Sequence, residues 1–408
     1  MQRAVQKCLR KIEAQGLAER DNVVFFARDA DIYCNRPLRE DERELRVALE
    51  AMNVSSLLFA RPADPYWTVL QQIAERDETV SSEGCIFPRD AETRTFLHDI
   101  PVLDRFSAQA IVSALSRRKT AIIRGRGIVT FGAVTPEQAY IMLSSTCFTV
   151  FVKYFSDALH RFRTTVADEE DRAAFRRIWR VAEPFFSGMP MPPLRAGLAS
   201  DDDTVFAMIA DAGRAVVDHH LVDSFFGNIS YIANDCIYIS QTGSSLDELE
   251  GCIDKVPFAG TSSVGITASS ELSAHKNIYR ATGLNAILHG HPKFAVIMSM
   301  DCVRKDCDRE LCYKACPEQR SVRGIPIVSG EIGTGAAALM HTVPEALLED
   351  RGVIVYGHGV FTACRDDFGK AFAQLQAVER ACATAYREEV EKAMGRIQQS
   401  GYRSQSTD

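Results

Sequence analysis

Gly352-Val353-Ile354-Val355-Tyr356-Gly357-His358-Gly359-Val360-Phe361-Thr362 is an apolar strand pattern broken by Gly-His-Gly, and it runs into a long helical stretch from Phe368. The same arrangement stands 232 residues earlier. Thr120-Ala121-Ile122-Ile123-Arg124-Gly125-Arg126-Gly127-Ile128-Val129-Thr130 is broken by Gly-Arg-Gly and leads into a helical stretch from Pro136. The register continues into that helix, where Tyr154 falls opposite Tyr386. At an offset of 230, Leu57-Leu58-Phe59-Ala60-Arg61-Pro62 aligns with Ile287-Leu288-His289-Gly290-His291-Pro292, each after a helical stretch, Asp41–Met52 and Glu271–Thr282. Ile100-Pro101-Val102-Leu103 likewise resembles Ile325-Pro326-Ile327-Val328. Three matches in order at a nearly constant offset argue for one domain present twice. The match is poor before residue 38, so the first copy reads as shortened or rebuilt at its front. Strands alternating with helices indicate an α/β layer architecture; the spacing leaves strand order and direction open.

The length agrees with two domains. At about 150 residues per domain, 408 residues suggest two to three units. Ser187-Gly188-Met189-Pro190-Met191-Pro192-Pro193 is the expected linker, since prolines neither continue a helix nor sit in a central strand. A charged helical stretch, Val166–Val181, precedes it and an amphipathic one, Asp203–Leu221, follows. A boundary near residue 195 gives domains 1–190 and 196–408. The chain is 46% hydrophobic and 25% charged, the balance of a globular protein with a core, which excludes disorder over most of it. A net charge of −7 speaks against a broad basic face for nucleic acid. No apolar run reaches the length of a membrane span. The start, MQRAVQKCLRKIEAQ, lacks a signal-peptide core, so a cytoplasmic protein beginning with a helix is expected. The twelve cysteines are too unevenly spaced for a disulfide scaffold.

The sharpest chemical feature is His289-Gly290-His291. Residues i and i+2 of a strand share one face, so two imidazoles project together with a glycine between them, a chelating arrangement. By itself a His-X-His is weak evidence. His358 in its Gly-His-Gly, Glu271 after Ser269-Ser270, and Asn228 in Gly227-Asn228-Ile229-Ser230 strengthen it. The first copy provides an internal control. At the positions of His289, His291 and His358 it carries Phe59, Arg61 and Arg126, and Glu271 is faced by Asp41. The three histidines vanish together, as members of one unit would.

With these residues in view, the second half resembles the class II aldolase/adducin family, typified by fuculose-phosphate and rhamnulose-phosphate aldolases. The matching segments are Gly227-Asn228-Ile229-Ser230, Ile239-Ser240-Gln241-Thr242-Gly243-Ser244, Ser269-Ser270-Glu271, His289-Gly290-His291-Pro292 and Gly357-His358-Gly359-Val360. The resemblance spans roughly residues 205 to 395, and the first half looks like a degenerate copy without metal ligands. It implies a three-layer α/β/α sandwich around a largely antiparallel sheet, here tandem duplicated. It also implies that His289, His291 and His358 hold a divalent metal, most often zinc, as a Lewis acid for enediolate formation. Glu271 would be the acid/base. Asn228, Thr242, Gly243, Ser269 and Ser270 would bind phosphate, an anion suited to short hydroxyls and backbone N–H groups at a helix start. Ser269 or Ser270 also reads as a plain cap of the helix that Glu271 begins. The implied activity is aldol cleavage or condensation of a phosphorylated sugar. Epimerases, decarboxylases and dehydratases of the same family, and a non-catalytic adducin-like assembly protein, are the alternatives. A homo-oligomer is expected from the resemblance.

His275, one turn after Glu271, reads as a satisfied helix histidine rather than a fourth ligand. Tyr279 and Tyr386 are candidates for the acid on the far side of the substrate. Cys302, Cys307, Cys312 and Cys316 depart from the family pattern as C-x4-C-x4-C-x3-C. They read as a second metal site, as thiols or local disulfides, or as incidental. Arg117-Arg118-Lys119 with Arg124 and Arg126 reads as a solvated or interface face, and Arg61 with Arg126 as a small anion site. Neither Gly-X-Gly is a dinucleotide fingerprint, because the third glycine is missing.

Overall fold

The computed structural model describes residues 1–164, 168–186, 189–223, 225–260, 262–304, 306–347 and 352–403. Val166, at the start of the expected charged helix, and Ser187 and Gly188 of the expected linker lie outside them. The chain divides into two compact units. One comprises Met1–Phe155 with Ala174–Ala182, the other Ser156–Ala173 with Glu183–Asp408. The run Pro190–Pro193 therefore falls inside the second unit rather than between the two.

In the first unit the strands are β1 (Val23–Arg28), β2 (Ile32–Cys34), β3 (Ser56–Ala60), β4 (Cys85–Ile86), β5 (Ile100–Leu103), β6 (Thr120–Ile123) and β7 (Gly127–Gly132). They form one sheet in the order β2-β1-β3-β7-β6-β5-β4. In the second unit β8 (Asn228–Ala233), β9 (Cys236–Ser240), β10 (Ile253–Pro257), β11 (Ala286–Gly290), β12 (Arg320–Val322), β13 (Ile325–Val328), β14 (Val353–Val355) and β15 (Gly359–Cys364) take the order β10-β9-β8-β11-β15-β14-β13-β12. Neighbours are antiparallel except β5–β6 and β13–β14. β10 apart, the two orders are the same.

Helices cover both faces of each sheet, which is why β3 and β11 are buried at every position and apolar except at Ser56 and His289. The first unit uses α1 (Gln2–Ala14), α2 (Arg43–Ala51), α3 (Tyr66–Arg76), α4 (Glu78–Glu83), α5 (Ala91–Leu97) and α6 (Ala108–Leu115); α7 (Pro136–Thr164) and α8 (Glu169–Ala182) run across the division. The second uses α9 (Asp202–Asp218), α10 (Leu272–Thr282), α11 (Lys293–Met300), α12 (Leu339–Ala346) and α13 (Phe368–Arg403). Among these helices none is long and apolar enough to cross a membrane.

On one face of the second sheet, Ile237, Ile239, Ile287, Val353, Val355, Phe361 and Ala363 pack with Ala274, Ile278 and Tyr279 of α10 and Leu339 and Val343 of α12. Alternate residues face the other way. There Thr362 donates to the carbonyl of Ala371 in α13 at 2.9 Å, and the Tyr238 ring meets Phe206 of α9. The first unit repeats the plan. Val24, Phe26, Leu57, Phe59, Ala121, Ile123 and Val129 pack with Leu45, Ala48 and Leu49 of α2 and with Ile111, Ala114 and Leu115 of α6. On its other face Thr130 donates to Ala139 of α7 at 2.8 Å.

Candidate active site

The site lies on the α10 face of the second sheet, at the end of β11. Cross-strand register sets its first layer: His289 stands opposite Asn228 of β8 on one side and Phe361 of β15 on the other. Its ring stacks on Phe361 at 4.0 Å between centroids, and its Nδ1 donates to the carbonyl of Val360 at 3.1 Å. That bond places the proton on Nδ1 and leaves Nε2 with a lone pair facing the site. His291 follows the strand and stacks on Phe226, with its Nε2 3.1 Å from that of His289. His358 comes from the loop Tyr356–His358 between β14 and β15, where Gly357 takes φ +58°. The three ligand atoms lie within 4.8 Å of one another.

Two glycines make this convergence possible. A Cβ on Gly359 would sit 2.5 Å from the carbonyl oxygen of Gly290, 2.8 Å from His289 Cε1 and 2.9 Å from His291 Cδ2. A Cβ on Gly227, at φ +71°, would sit 2.2 Å from the His289 carbonyl oxygen. Any larger residue at either position displaces a histidine.

Glu271 enters from the residue before α10 and is 3% exposed. Its Oε1 is 3.4 Å from His358 Nε2 and its Oε2 3.5 Å from His289 Nε2. Burial holds all three imidazoles neutral. It lowers His289 to about 3 and His358 to about 4, the latter against the pull of Glu271, and takes His291 well below its usual value. Burial also raises the Glu271 carboxyl, partly offset by His358 and by the Asn228 hydrogen bond. The residues fit a divalent cation. Three neutral imidazoles converge beside a carboxylate in a dry site, and two Nε2 atoms face each other at 3.1 Å with one partner already fixed as an acceptor. Buried Nδ1 of His291 has no hydrogen-bond partner among the described residues.

Behind Glu271 runs a chain of buried polar groups. Asn228 Nδ2 donates to Glu271 Oε2 at 2.7 Å, and Asn228 Oδ1 meets His275 Nε2 at 2.5 Å. His275 Nδ1 meets Ser230 Oγ at 2.6 Å, and Ser230 Oγ meets the Tyr279 hydroxyl at 2.6 Å. His275 is thus satisfied within the protein, and burial lowers it to about 3. Ser230 escaped the sequence reading. The signal was present in the spacing: Asn228 and Ser230 share a strand face, and Glu271, His275 and Tyr279 recur every four residues along one helix face.

Of the expected phosphate residues, Thr242 and Ser270 meet directly, the Ser270 N–H donating to Thr242 Oγ1 at 3.1 Å. Gly243, at φ +71°, has open space where a Cβ would point. Ser269 Oγ accepts from the N–H of Glu271 at 3.3 Å. The capping expectation changes accordingly: the helix starts at Leu272, one residue later, and its N-cap, Glu271, makes no side-chain cap bond.

Other expectations are corrected. The hydroxyl of Tyr279 is engaged by Ser230, and Tyr386 packs on Phe294 against α11, away from α10. Neither tyrosine stands ready to protonate a substrate. Among the described residues, Cys302, Cys307, Cys312 and Cys316 are thiols outside any disulfide. Among the described residues the group of three ligand atoms within 4.8 Å is the histidine trio. The cysteine segment is tied by its charges, Arg304 to Asp306 and Glu318, and Arg320 to the carbonyl of Asp301. Arg61 lies over the Trp67 ring, while Arg126 lies over Phe106 and pairs with Asp41, so Arg126 meets a carboxylate rather than presenting a free charge to an anion.

The sequence profile of the class II aldolase and adducin N-terminal domain family matches residues 207–386. Among solved structures, L-fuculose-1-phosphate aldolase from Thermus thermophilus is 23% identical, covering 47% of this chain and 97% of that one at TM-score 0.38. YgbL from Klebsiella pneumoniae, described as a putative aldolase/epimerase/decarboxylase, is 15% identical over 48% of this chain and 100% of that one at TM-score 0.38. L-fuculose 1-phosphate aldolase from Glaciozyma antarctica is 14% identical over 51% and 94%, at TM-score 0.32. No curated protein matches the chain. Over residues 207–386, then, the chain carries the match to the class II aldolase and adducin family that its second half was expected to resemble.

Proposed function

We propose that the second unit is a metal-dependent carbon–carbon lyase that cleaves or condenses a phosphorylated sugar by aldol chemistry. The observation that carries this reading is the buried Glu271 carboxylate beside three convergent neutral histidines. His289, His291 and His358 would hold the divalent cation, zinc by the nature of the donors. When bound, the metal supplies Lewis-acid polarisation of the substrate's carbonyl and hydroxyl oxygens. Glu271 takes and returns the proton at the reacting carbon, a role suited to a carboxyl that burial has pushed toward neutrality. Thr242, Gly243, Ser269 and Ser270 offer short hydroxyls and backbone N–H groups to the phosphate. Asn228, also expected at the phosphate, commits its amide N–H to the Glu271 carboxylate.

The first unit is, on this reading, a duplicate of the same fold that has lost the chemistry. The supporting facts are matched registers. Phe59 pairs with Val129 and Val24, as His289 pairs with Phe361 and Asn228. Arg126 meets Asp41, as His358 meets Glu271.

The deciding experiment is metal analysis of the purified protein beside a His289→Ala, His291→Ala double variant, followed by an aldol-cleavage screen with Glu271→Gln as control. One metal per chain lost in the double variant, and cleavage lost in Glu271→Gln with metal retained, are the expected results. Unchanged metal in the double variant would sink the reading.

A further inference from the structure

We propose that Ser230, His275 and Tyr279 are positioning residues that orient Asn228 and so reserve Oε1 of Glu271 as the atom that exchanges the proton. This rests on the lyase reading above and extends it from the carboxylate to the residues behind it.

The donor and acceptor identities permit a single order when Glu271 is ionised. A carboxylate oxygen only accepts, so Asn228 turns its N–H group to Oε2 and its oxygen to His275. An amide oxygen only accepts, so His275 donates from Nε2. A neutral ring then accepts at Nδ1, Ser230 donates to it, and Tyr279 donates to Ser230. Every group in the series is buried and every step lies between 2.5 and 2.7 Å. Were the Asn228 amide reversed, its oxygen would face the carboxylate and its N–H the proton on His275. With Glu271 ionised, the carboxylate at one end and the series at the other hold the amide in this orientation, and the amide occupies Oε2. Oε1, 3.4 Å from His358 Nε2, takes no hydrogen bond among the described residues. In the condensation direction the substrate C–H bond breaks, its electron pair stays on the substrate carbon, and the proton goes to Oε1. Cleavage runs the same transfer in reverse.

The first unit shows that the fold does not need this series. Strand register puts Val24 where Asn228 stands and Phe26 where Ser230 stands, against Phe59 and Leu57 in place of His289 and Ile287. Leu45 and Leu49 lie four and eight residues after Asp41, as His275 and Tyr279 lie after Glu271. All four apolar residues belong to one buried core. Linked buried polar groups are costly compared with a packed apolar core, and here they accompany the histidines and the carboxylate.

The test uses the full chain loaded with zinc. Selective 15N labelling of its nine histidines, with the His275 signal identified by its loss in His275→Leu, reads the tautomer directly. The expected form is neutral Nε2–H from about pH 6 to 8. A signal of Nδ1–H or imidazolium form would overturn the proposal. The second readout is exchange of a carbon-bound proton of dihydroxyacetone phosphate, the smallest ketose phosphate, against deuterium. His275→Leu is expected to lower exchange about 100-fold, the size of effect a small misplacement produces, with zinc content unchanged. His275→Gln, whose amide offers both a donor and an acceptor, stays within about tenfold of wild type. Wild-type exchange in His275→Leu, or loss of its zinc, would refute the positioning role. Absence of exchange in the wild type would count against the lyase reading for this probe, while the tautomer still decides the order of the hydrogen bonds.

Discussion

Replacing Gly359 by alanine adds one methyl group at the most crowded point of the site. Its φ is not in the left-handed region, so the backbone tolerates alanine and the cost is purely steric. The new Cβ would sit 2.5 Å from the Gly290 carbonyl oxygen, where ordinary contact begins at 3.4 Å. That oxygen has to retreat by about 0.9 Å, and the His289 and His291 ring atoms by about 0.6 and 0.5 Å, as differences from the same contact limit. Zinc–nitrogen bonds tolerate only about 0.2 Å of variation, so on the proposed reading His289 and His291 would leave that range together. Overpacking of this kind costs about 1–3 kcal/mol of folding stability. Disturbing ligand orientation typically weakens metal binding about 10- to 100-fold. Competition titration with a zinc chelator and chemical denaturation of the metal-free protein measure the two effects separately. Gly335→Ala serves as the control, because nothing lies within 4 Å of its Cβ position. Wild-type zinc affinity in Gly359→Ala would refute the claim that this glycine sets the histidine geometry.

Three further outcomes are expected. Phe361→Ala removes a fully buried ring stacked on His289 and should cost about 3–5 kcal/mol in denaturant unfolding, with weaker zinc binding. His275, lowered to about 3 when folded, regains a value near 6.5 when unfolded, so below pH 6.5 the unfolded chain binds a proton that the folded chain does not. The stability of wild type relative to His275→Leu should therefore fall by about 2 kcal/mol between pH 7.5 and 5 in the metal-free protein, at 1.36 kcal/mol per pH unit below 6.5; a constant difference across that range would contradict a buried neutral imidazole. Asp41→Ala breaks a half-exposed pair with Arg126 and should change stability by less than about 1 kcal/mol, as read from the denaturation midpoint.

Much of the candidate site was legible in one dimension because two of its three histidines are local and the other residues sit at marked turns. His289 and His291 are two residues apart on a strand end, so alternation alone puts them together. His358 was marked by the glycines that let its loop approach, and Glu271 by its place at a helix start. The cysteine run stayed open among a second metal site, thiols or local disulfides, and incidental residues, because spacing reports proximity along the chain and says nothing of whether the sulfurs point to one centre. The two tyrosines were plausible by chemistry alone; their actual neighbours, Ser230 and Phe294, belong to other elements.

By itself the sequence raised the expectation that one α/β plan occurs twice and placed the histidine trio in the second half alone. Both conclusions follow from periodicity and offset, which are properties of order along the chain. Tertiary structure alone decided which oxygen of Glu271 is held and by what. Asn228 reaches Glu271 across 43 positions and His275 across 47. Those meetings depend on how β8 registers against β11 and how α10 packs over both, and packing between distant elements leaves no spacing to read.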